Sequence, residues 1–362
     1  MISPRLLAIV RCPECRGELA GTDACCRCRS CGRVYPQADG EFLDLRPENA
    51  FREQTRYLDE ALHADARHER VSPPLLGSKI RNDMLRSFLR PGPADLVVDL
   101  GCGSGRAALW NRDLGAPTIG VDIAPYFSGE ARRDVDLLLA DLRQLPFADG
   151  TFSKGYSLDV LEHLSPDALE SMLAEAARVL APGGALFVYT HVRKNARIAR
   201  ALRLINRLAE WLDRRGLVDL RQEHLRKSDH ANPLRDVPHL EQLTRAAGFR
   251  IERIRFYTPV VGGFVENVLV RLAERALARR AARRLAPVSP PAEADARAIR
   301  EARATAKERI ASSVLTRAVL RAVSAVMKLD VLLFGRITSG PFFALLVKDQ
   351  AAHPHSALHH PQ

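Results

Sequence analysis

The chain has 362 residues, 46% hydrophobic and 27% charged, an ordinary globular balance that excludes wholesale disorder. No apolar run approaches the roughly 20 residues of a spanning helix, and the amino-terminal stretch lacks a signal-peptide core, so the expected compartment is the cytoplasm, with peripheral attachment to a membrane surface left open. The net charge of +11 is uneven: residues 1–180 carry 22 Lys and Arg against 27 Asp and Glu, and residues 181–362 carry 32 against 16, so the basic excess concerns a substrate or a surface contacted by the second half.

Six of the seven cysteines fall between positions 12 and 31. Cys12-x-x-Cys15 and Cys28-x-x-Cys31, separated by 12 residues, have the spacing of two knuckles that supply four thiolates to one tetrahedral ion. Cys25 and Cys26 are surplus, and Cys25-x-x-Cys28 offers a competing pairing. A structural zinc ribbon over residues 1–46 is favoured over a redox or disulfide role and over a metal-free ribbon.

Residues 47–90 read as a helical connector or cap, with one helix beginning at Phe51–Leu58, a break at Ser72-Pro73-Pro74, and a second helix over Ile80–Leu89. The run Val97-Val98-Asp99-Leu100-Gly101-Cys102-Gly103-Ser104-Gly105 then reads as a buried strand ending in an acid, a turn with glycine at alternate positions, and a helix from Arg106. Glycine permits a tight turn and close approach of a ligand to the backbone, and the helix start offers unpaired N–H groups. The spacing differs from the dinucleotide fingerprint, whose last glycine falls one residue later.

A second strand, Thr118–Val121, ends at Asp122, followed by Ile123. A third, Leu137–Ala140, precedes Asp141 and Leu142. A Pro-Phe-x-Asp-x-x-Phe turn at 146–152 leads to the strand Gly155–Val160, and Arg178–Gly184 closes a helix before the strand Ala185–Thr190. In this order, over roughly residues 75–190, the chain resembles the class I S-adenosylmethionine-dependent methyltransferases. Cys12–Cys31, with Leu6–Cys15 and Cys31–Pro36 around them, resembles the small zinc-ribbon-like domain that activates several methyltransferases as a separate subunit, here fused to the enzyme.

The resemblance implies a doubly wound, Rossmann-like α/β fold with a seven-stranded sheet. It implies that Asp99, Gly101, Cys102, Gly103 and Gly105 shape the methionine pocket of S-adenosyl-L-methionine and that Asp122 and Ile123 take the ribose. Asp141 and Leu142 flank the adenine, and Ser157, Leu158 and Asp159 form the floor beside the methyl group. The central strand lacks the Asn/Asp-Pro-Pro-aromatic signature of amine methylation at adenine N6 or glutamine amides, which leaves O-, C- and S-transfer open, along with other N-methylations. His163 and His191 follow adjacent strands on the edge where ligands of open α/β sheets bind, and are candidates for a catalytic base, against the plainer reading that each bonds a loop carbonyl.

Beyond position 190, residues 193–230 are Arg-rich and helical, interrupted at Gly216; Leu240–Ala247 forms a short helix ending at Gly248, and Phe249–Tyr257 a strand. Gly340–Lys348 reads as a final antiparallel core strand, which makes 260–339 a helical insertion. In it Val265, Val268, Leu269, Leu272, Ala276 and Leu277, and later Ile310, Val314, Ala318, Ala322, Val326 and Leu329, recur at helical spacing beside arginines, around a Pro/Ala-rich linker at 287–296. These faces either pack on the sheet, lie on an anionic membrane, or contact nucleic acid. The tail with His353, His355, His359 and His360 reads as a disordered end over 350–362. The favoured partner is a small-molecule or lipid-like methyl acceptor with a hydroxyl or an activated carbon. A ribosomal or transfer RNA methyltransferase is the alternative, made less favoured by the 6% aromatic content, and a non-catalytic, cofactor-binding regulatory subunit is the third.

Overall fold

Two cysteine-bearing turns open the chain in a computed structural model, which describes residues 2–21, 25–38, 42–47, 71–192, 199–220, 230–231, 233–282, 305, 313–338 and 340–350. Helix α1 (Pro4–Ile9) is capped by Ser3, whose side chain accepts the Leu6 N–H, and leads into β1 (Leu19–Gly21), β2 (Cys25–Cys28), β3 (Val34–Ala38) and β4 (Phe42–Asp44). The expected helix at Phe51–Leu58 lies outside the described residues, as do the linker at 287–296, Ile310 and the histidine tail. The connector helix is α2 (Gly77–Leu89), which buries Ile80, Met84, Leu85 and Phe88 at helical spacing.

The central strands are β5 (Val97–Leu100), β6 (Thr118–Asp122), β7 (Asp136–Leu139), β8 (Phe152–Leu158) and β9 (Leu180–His191). β5 is buried on both faces, as a strand of a parallel sheet covered on both sides must be. Between them run α3 (Arg106–Asn111), α4 (Gly129–Asp134) and α5 (Pro166–Val179). In α5 the Ser165 cap, Pro166 at the first position and Asp167 in the first turn define the start, and Leu169, Met172, Leu173 and Ala176 form the buried stripe.

The carboxyl-terminal part contains α6 (Ala199–Arg214), α7 (Val237–Ala246), β10 (Phe249–Phe256), α8 (Val260–Phe264), a π-helical segment (Val265–Val270), α9 (Arg271–Ala282), α10 (Val314–Met327), α11 (Leu329–Phe334) and β11 (Pro341–Lys348). The remaining Arg-rich residues, 193–198 and 221–229, lie outside the described set.

The strands form one sheet in the order β1-β2-β3-β4-β7-β6-β5-β8-β9-β11-β10. β5 to β9 are parallel, and β11 inserts antiparallel between β9 and β10. The expected seven-stranded sheet is thereby corrected to eleven strands. The cause is a parallel pairing of β4 with β7, Leu43 opposite Leu138 and Asp44 opposite Leu139, which satisfies an edge that would otherwise present a row of unpaired backbone groups. Leu6, Val10, Cys12, Leu43 and Leu45 share one hydrophobic core with Val98, Ile119 and Phe147, so the cysteine-bearing segment is built into the sheet.

The two amphipathic stretches of the insertion behave differently. In the first, Val265 and Val268 are buried while Leu269 and Ala276 are exposed; in the second, Val314, Ala318, Ala322, Val326 and Leu329 are all exposed, and α10–α11 packs through Ser324, Met327 and Val331 instead. Packing of that stripe on the sheet is corrected: the buried side is a shorter row fixed by polar clamps. Leu76 N–H donates to Ser324 Oγ at 2.8 Å, and the Val261 and Gly262 N–H groups donate to the buried Asp330 carboxylate at 3.0 and 2.8 Å.

Candidate active site and cysteine centre

The turn after β5 needs glycine for two reasons. Gly101, Gly103 and Gly105 have φ of +79°, +54° and +78°, left-handed values that other L-residues rarely adopt. A Cβ on Gly101 would stand 2.4 Å from Val160 Cγ2, and one on Gly105 would stand 2.5 Å from the Ala131 methyl. The loop is tied to its neighbour strand by Gly101 and Cys102 N–H groups, which donate to the Val121 carbonyl at 2.9 and 3.0 Å. Cys102 itself is buried.

Four acids or hydroxyls close this end of the sheet. Asp122 is buried, and its carboxylate accepts the Gly103 N–H at 2.7 Å and the Ala124 N–H at 2.9 Å, so it braces the glycine turn; burial holds its pKa up at about 6. Asp99 is buried beside Tyr156, its register partner on β8, and burial followed by the Asp122 charge pushes it up to about 8. The Tyr156 hydroxyl holds Asp99 down against that rise, and among the described residues Asp99 Oδ2 and this hydroxyl have no hydrogen-bond partner beyond each other, which is costly unless a ligand supplies one. Ser157 is fully buried and donates to the Leu100 carbonyl at 2.8 Å.

Asp141 and Leu142 follow β7 on the same sheet edge, both buried, and Asp141 is held by Arg143 at 2.7 Å. Ile123 keeps its place beside Asp122, with its carbonyl accepting Arg46 Nη1 at 3.2 Å. Leu158 ends β8, and Asp159 turns out of the strand at φ +57°, with Arg81 Nε 3.6 Å from its carboxylate and the Arg81 guanidinium over the Tyr189 ring. Arg81 stands on α2, whose start is tied to α10 by the Leu76–Ser324 hydrogen bond.

His163 closes a 3-10 turn (Leu161–His163) after β8, and His191 ends β9. The structure brings both against a third ring, His230, at centroid distances of 4.7 and 5.3 Å. The group also contains Glu162, buried, with Oε2 accepting the Thr190 hydroxyl at 2.9 Å and Oε1 3.8 Å from His191 Nδ1; burial raises Glu162 to about 7. Sequence reasoning missed Glu162 and His230. Glu162 adjoins a singled-out histidine, and a carboxyl group one residue from a candidate base was the available signal; His230 had none.

The four knuckle cysteines converge, with the sulfurs of Cys12, Cys15, Cys28 and Cys31 all within 4.8 Å of one another. Cys12 and Cys31 sulfurs are 3.7 Å apart and those of Cys15 and Cys28 are 3.4 Å apart. Thiolates on a tetrahedral ion at 2.3 Å stand about 3.8 Å apart, whereas a disulfide requires about 2 Å, so the spacing fits an ion and not a bridge. The two turns repeat one geometry: Arg16 N–H reaches the Cys12 carbonyl at 2.8 Å with Arg16 at φ +59°, and Gly32 N–H reaches the Cys28 carbonyl at 3.1 Å with Gly32 at φ +74°. Cys25 and Cys26 lie on β2 outside this group, which removes the competing pairing.

Residues 98–188, from β5 into β9, match the family model described as a methyltransferase domain. A mouse protein described as a probable tRNA methyltransferase 9B is 34% identical over 121 residues, 32% of this chain and 27% of that protein. An uncharacterized methyltransferase of Synechocystis is 33% identical over 95 residues, 25% of this chain and 45% of the relative. A sterol 4-C-methyltransferase of Caenorhabditis elegans is 35% identical over 107 residues, 27% of this chain and 31% of the relative. The chain thus spans less than half the length of each of these relatives. Among solved structures, phosphoethanolamine N-methyltransferase 2 of Haemonchus contortus aligns over 80% of this chain and 56% of its own, at 16% identity and a TM-score of 0.46.

Proposed function

We propose that the chain is an S-adenosylmethionine-dependent methyltransferase acting on a hydroxyl or activated carbon of a small or lipid-like acceptor. The observation that carries this reading is the buried Asp99 carboxyl, partnered by the Tyr156 hydroxyl alone, beside three left-handed glycines at the carboxyl end of β5. A ligand with a positively charged group and close backbone contact resolves both features. When bound, the donor supplies a methyl group already activated on a sulfonium, so the protein's work is to bind, orient and exclude water.

Gly101, Cys102, Gly103 and Gly105 would then line the methionine portion with Asp99. Asp122 and Ile123 would serve the ribose, with Asp122 also bracing the turn, Asp141 and Leu142 would face the adenine, and Ser157–Asp159 would form the floor on the acceptor side. The knuckle cysteines would hold a structural zinc. The relative described as a sterol methyltransferase supports a lipid-like acceptor, and the one described as a tRNA methyltransferase supports the RNA alternative.

At pH 7 Asp99, raised to about 8 chiefly by burial, is largely protonated in the free protein, and a cationic donor favours its ionised form. Donor binding should therefore release a proton, and affinity should rise as pH increases toward about 8. Calorimetry in two buffers of different ionisation enthalpy reads this directly. Asp99→Asn should abolish the buffer dependence and weaken binding about tenfold; a buffer-independent enthalpy in the unaltered protein would refute the Asp99 role.

For a hydroxyl acceptor, His191 backed by Glu162 is the proposed proton acceptor, with His163 the other candidate. Glu162 orients a histidine best once ionised, so turnover should climb as pH rises through about 7. Glu162→Gln should lower kcat about 100-fold and flatten that climb; an unchanged profile would remove the pair from the mechanism. Labelled methyl from the donor, chased into cell extract separated into lipid, small-molecule and RNA fractions, tests the acceptor class. Label in lipid or small molecules is expected; label in RNA would favour the alternative, and donor binding with no label in any fraction would favour a regulatory subunit.

A further inference from the structure

The exposed face of α10–α11 is continuous. Lys328, between the two helices, keeps right-handed helical angles, so residues 314–334 run as nearly one helix. Leu315, Val319, Ala322, Val326, Leu329 and Leu333 recur along its outer side at intervals of three or four, and all are exposed. The exposure is large: 75% at Leu315, 73% at Leu332 and 66% at Leu333. A solvated helix face normally carries charged or polar side chains there, and an apolar stripe of this length marks an interaction surface.

Its charges choose the partner. Arg321 and Arg336 border the exposed side, while Lys328 turns inward to pair with Asp83 at 3.3 Å; the one acid of the two helices, Asp330, is buried against the Val261 and Gly262 N–H groups, so the described side chains of the two helices present arginines and no acid on the outer side. A second copy of the chain seated on this face would bring arginines against arginines. A nucleic acid would match the cations but would leave the leucines in water. An anionic bilayer satisfies both, taking the leucines into the headgroup boundary and the cations against lipid phosphates. Helix α6, which like α10–α11 packs against α8, repeats the pattern, with exposed Leu204, Leu208 and Trp211 at helical spacing and the Arg215 guanidinium 4.8 Å from the Trp211 ring.

We propose that α10–α11 is a docking face for an anionic membrane surface, along which the chain binds in the plane without crossing it. Among the described residues no helix is long and apolar enough to span a bilayer, as a surface attachment requires. The inner side of the same helices is clamped to the start of α2, the helix whose Arg81 lies 3.6 Å from Asp159 and over the Tyr189 ring, so docking would bring that group toward the lipid boundary. The inference is independent of methyl transfer, because vesicle binding is read without any donor.

The test is sedimentation of the full chain with phosphatidylcholine vesicles that contain or lack phosphatidylglycerol. Binding to the mixed vesicles and its decline with added salt are expected, with about fivefold loss for each of Arg321→Gln and Arg336→Gln. The triple variant Leu315→Glu/Leu332→Glu/Leu333→Glu changes exposed positions only. It should retain its thermal midpoint and lose binding by more than tenfold. Three results would overturn the proposal: no sedimentation with mixed vesicles, equal sedimentation with neutral ones, or unchanged binding by the triple variant. A dimer in analytical ultracentrifugation that the triple variant dissolves, with no vesicle binding, would overturn it in favour of self-association.

Discussion

Gly101→Ala should weaken S-adenosylmethionine binding on the order of 100-fold, equivalent to about 2.7 kcal/mol, while the chain still folds. At φ +79° an alanine carries the left-handed cost of about 1–2 kcal/mol, and its methyl would stand 2.4 Å from Val160 Cγ2 and 3.1 Å from Cγ1. Val160 follows β8, so relief by moving it disturbs the strand end that carries Ser157 to Asp159. Relief by moving the turn breaks the Gly101 and Cys102 hydrogen bonds to Val121 and pulls Gly103 from Asp122. Gly216→Ala is the control. Its φ of +67° carries a similar backbone cost, but a Cβ there meets nothing within 4 Å, so stability should fall slightly and donor affinity should stay the same. Calorimetric titration of both variants decides the matter, and wild-type affinity in Gly101→Ala would show that the turn is not the donor site.

The glycine turn was legible in the sequence because its backbone conformation dictates residue type. The strands around it were legible because a sheet buried on both faces demands largely apolar runs, such as Leu137–Leu139 and Leu186–Val188. Three features were not. The pairing of Leu43 and Asp44 with Leu138 and Leu139 joins segments nearly a hundred residues apart, and no local pattern states which edge strand receives which partner. The meeting of Glu162, His163, His191 and His230 depends in the same way on where separate chain segments end. The orientation of α10 was hidden for another reason: a helical repeat of apolar residues shows that a helix has an apolar side, but the repeat is the same whether that side meets a core or lies open. Ser324 and Asp330 decide it, because each sits buried and hydrogen-bonded to a backbone N–H of the core.

Removing the metal expected at the cysteine centre should have the largest effect on stability. Structural zinc contributes on the order of 10 kcal/mol to zinc-finger peptides, whose unfolded state has no preformed site. Here the cysteine turns are part of the sheet's edge and core. Arg11 N–H donates to the Pro146 carbonyl at 2.8 Å, Leu45 N–H to the Leu139 carbonyl at 2.8 Å, and Arg16 pairs with Glu175 at 3.2 Å. Loosening the knuckles therefore exposes β7 and the Leu6, Val10 and Leu43 contacts with the main core, and the loss should propagate beyond residue 46. Cys28→Ser should reduce bound zinc from about one per chain to none and lower the thermal midpoint by ten degrees or more, at about 2–4 °C for each kcal/mol lost. Cys25→Ser lies on the same short strand, outside the four-sulfur group, and should keep both metal and midpoint. Metal analysis with scanning calorimetry separates the cases. Equal zinc in both variants would remove the centre, and zinc loss without a fall in midpoint would show that β1 to β4 hold to the sheet through the β4–β7 pairing and shared core alone.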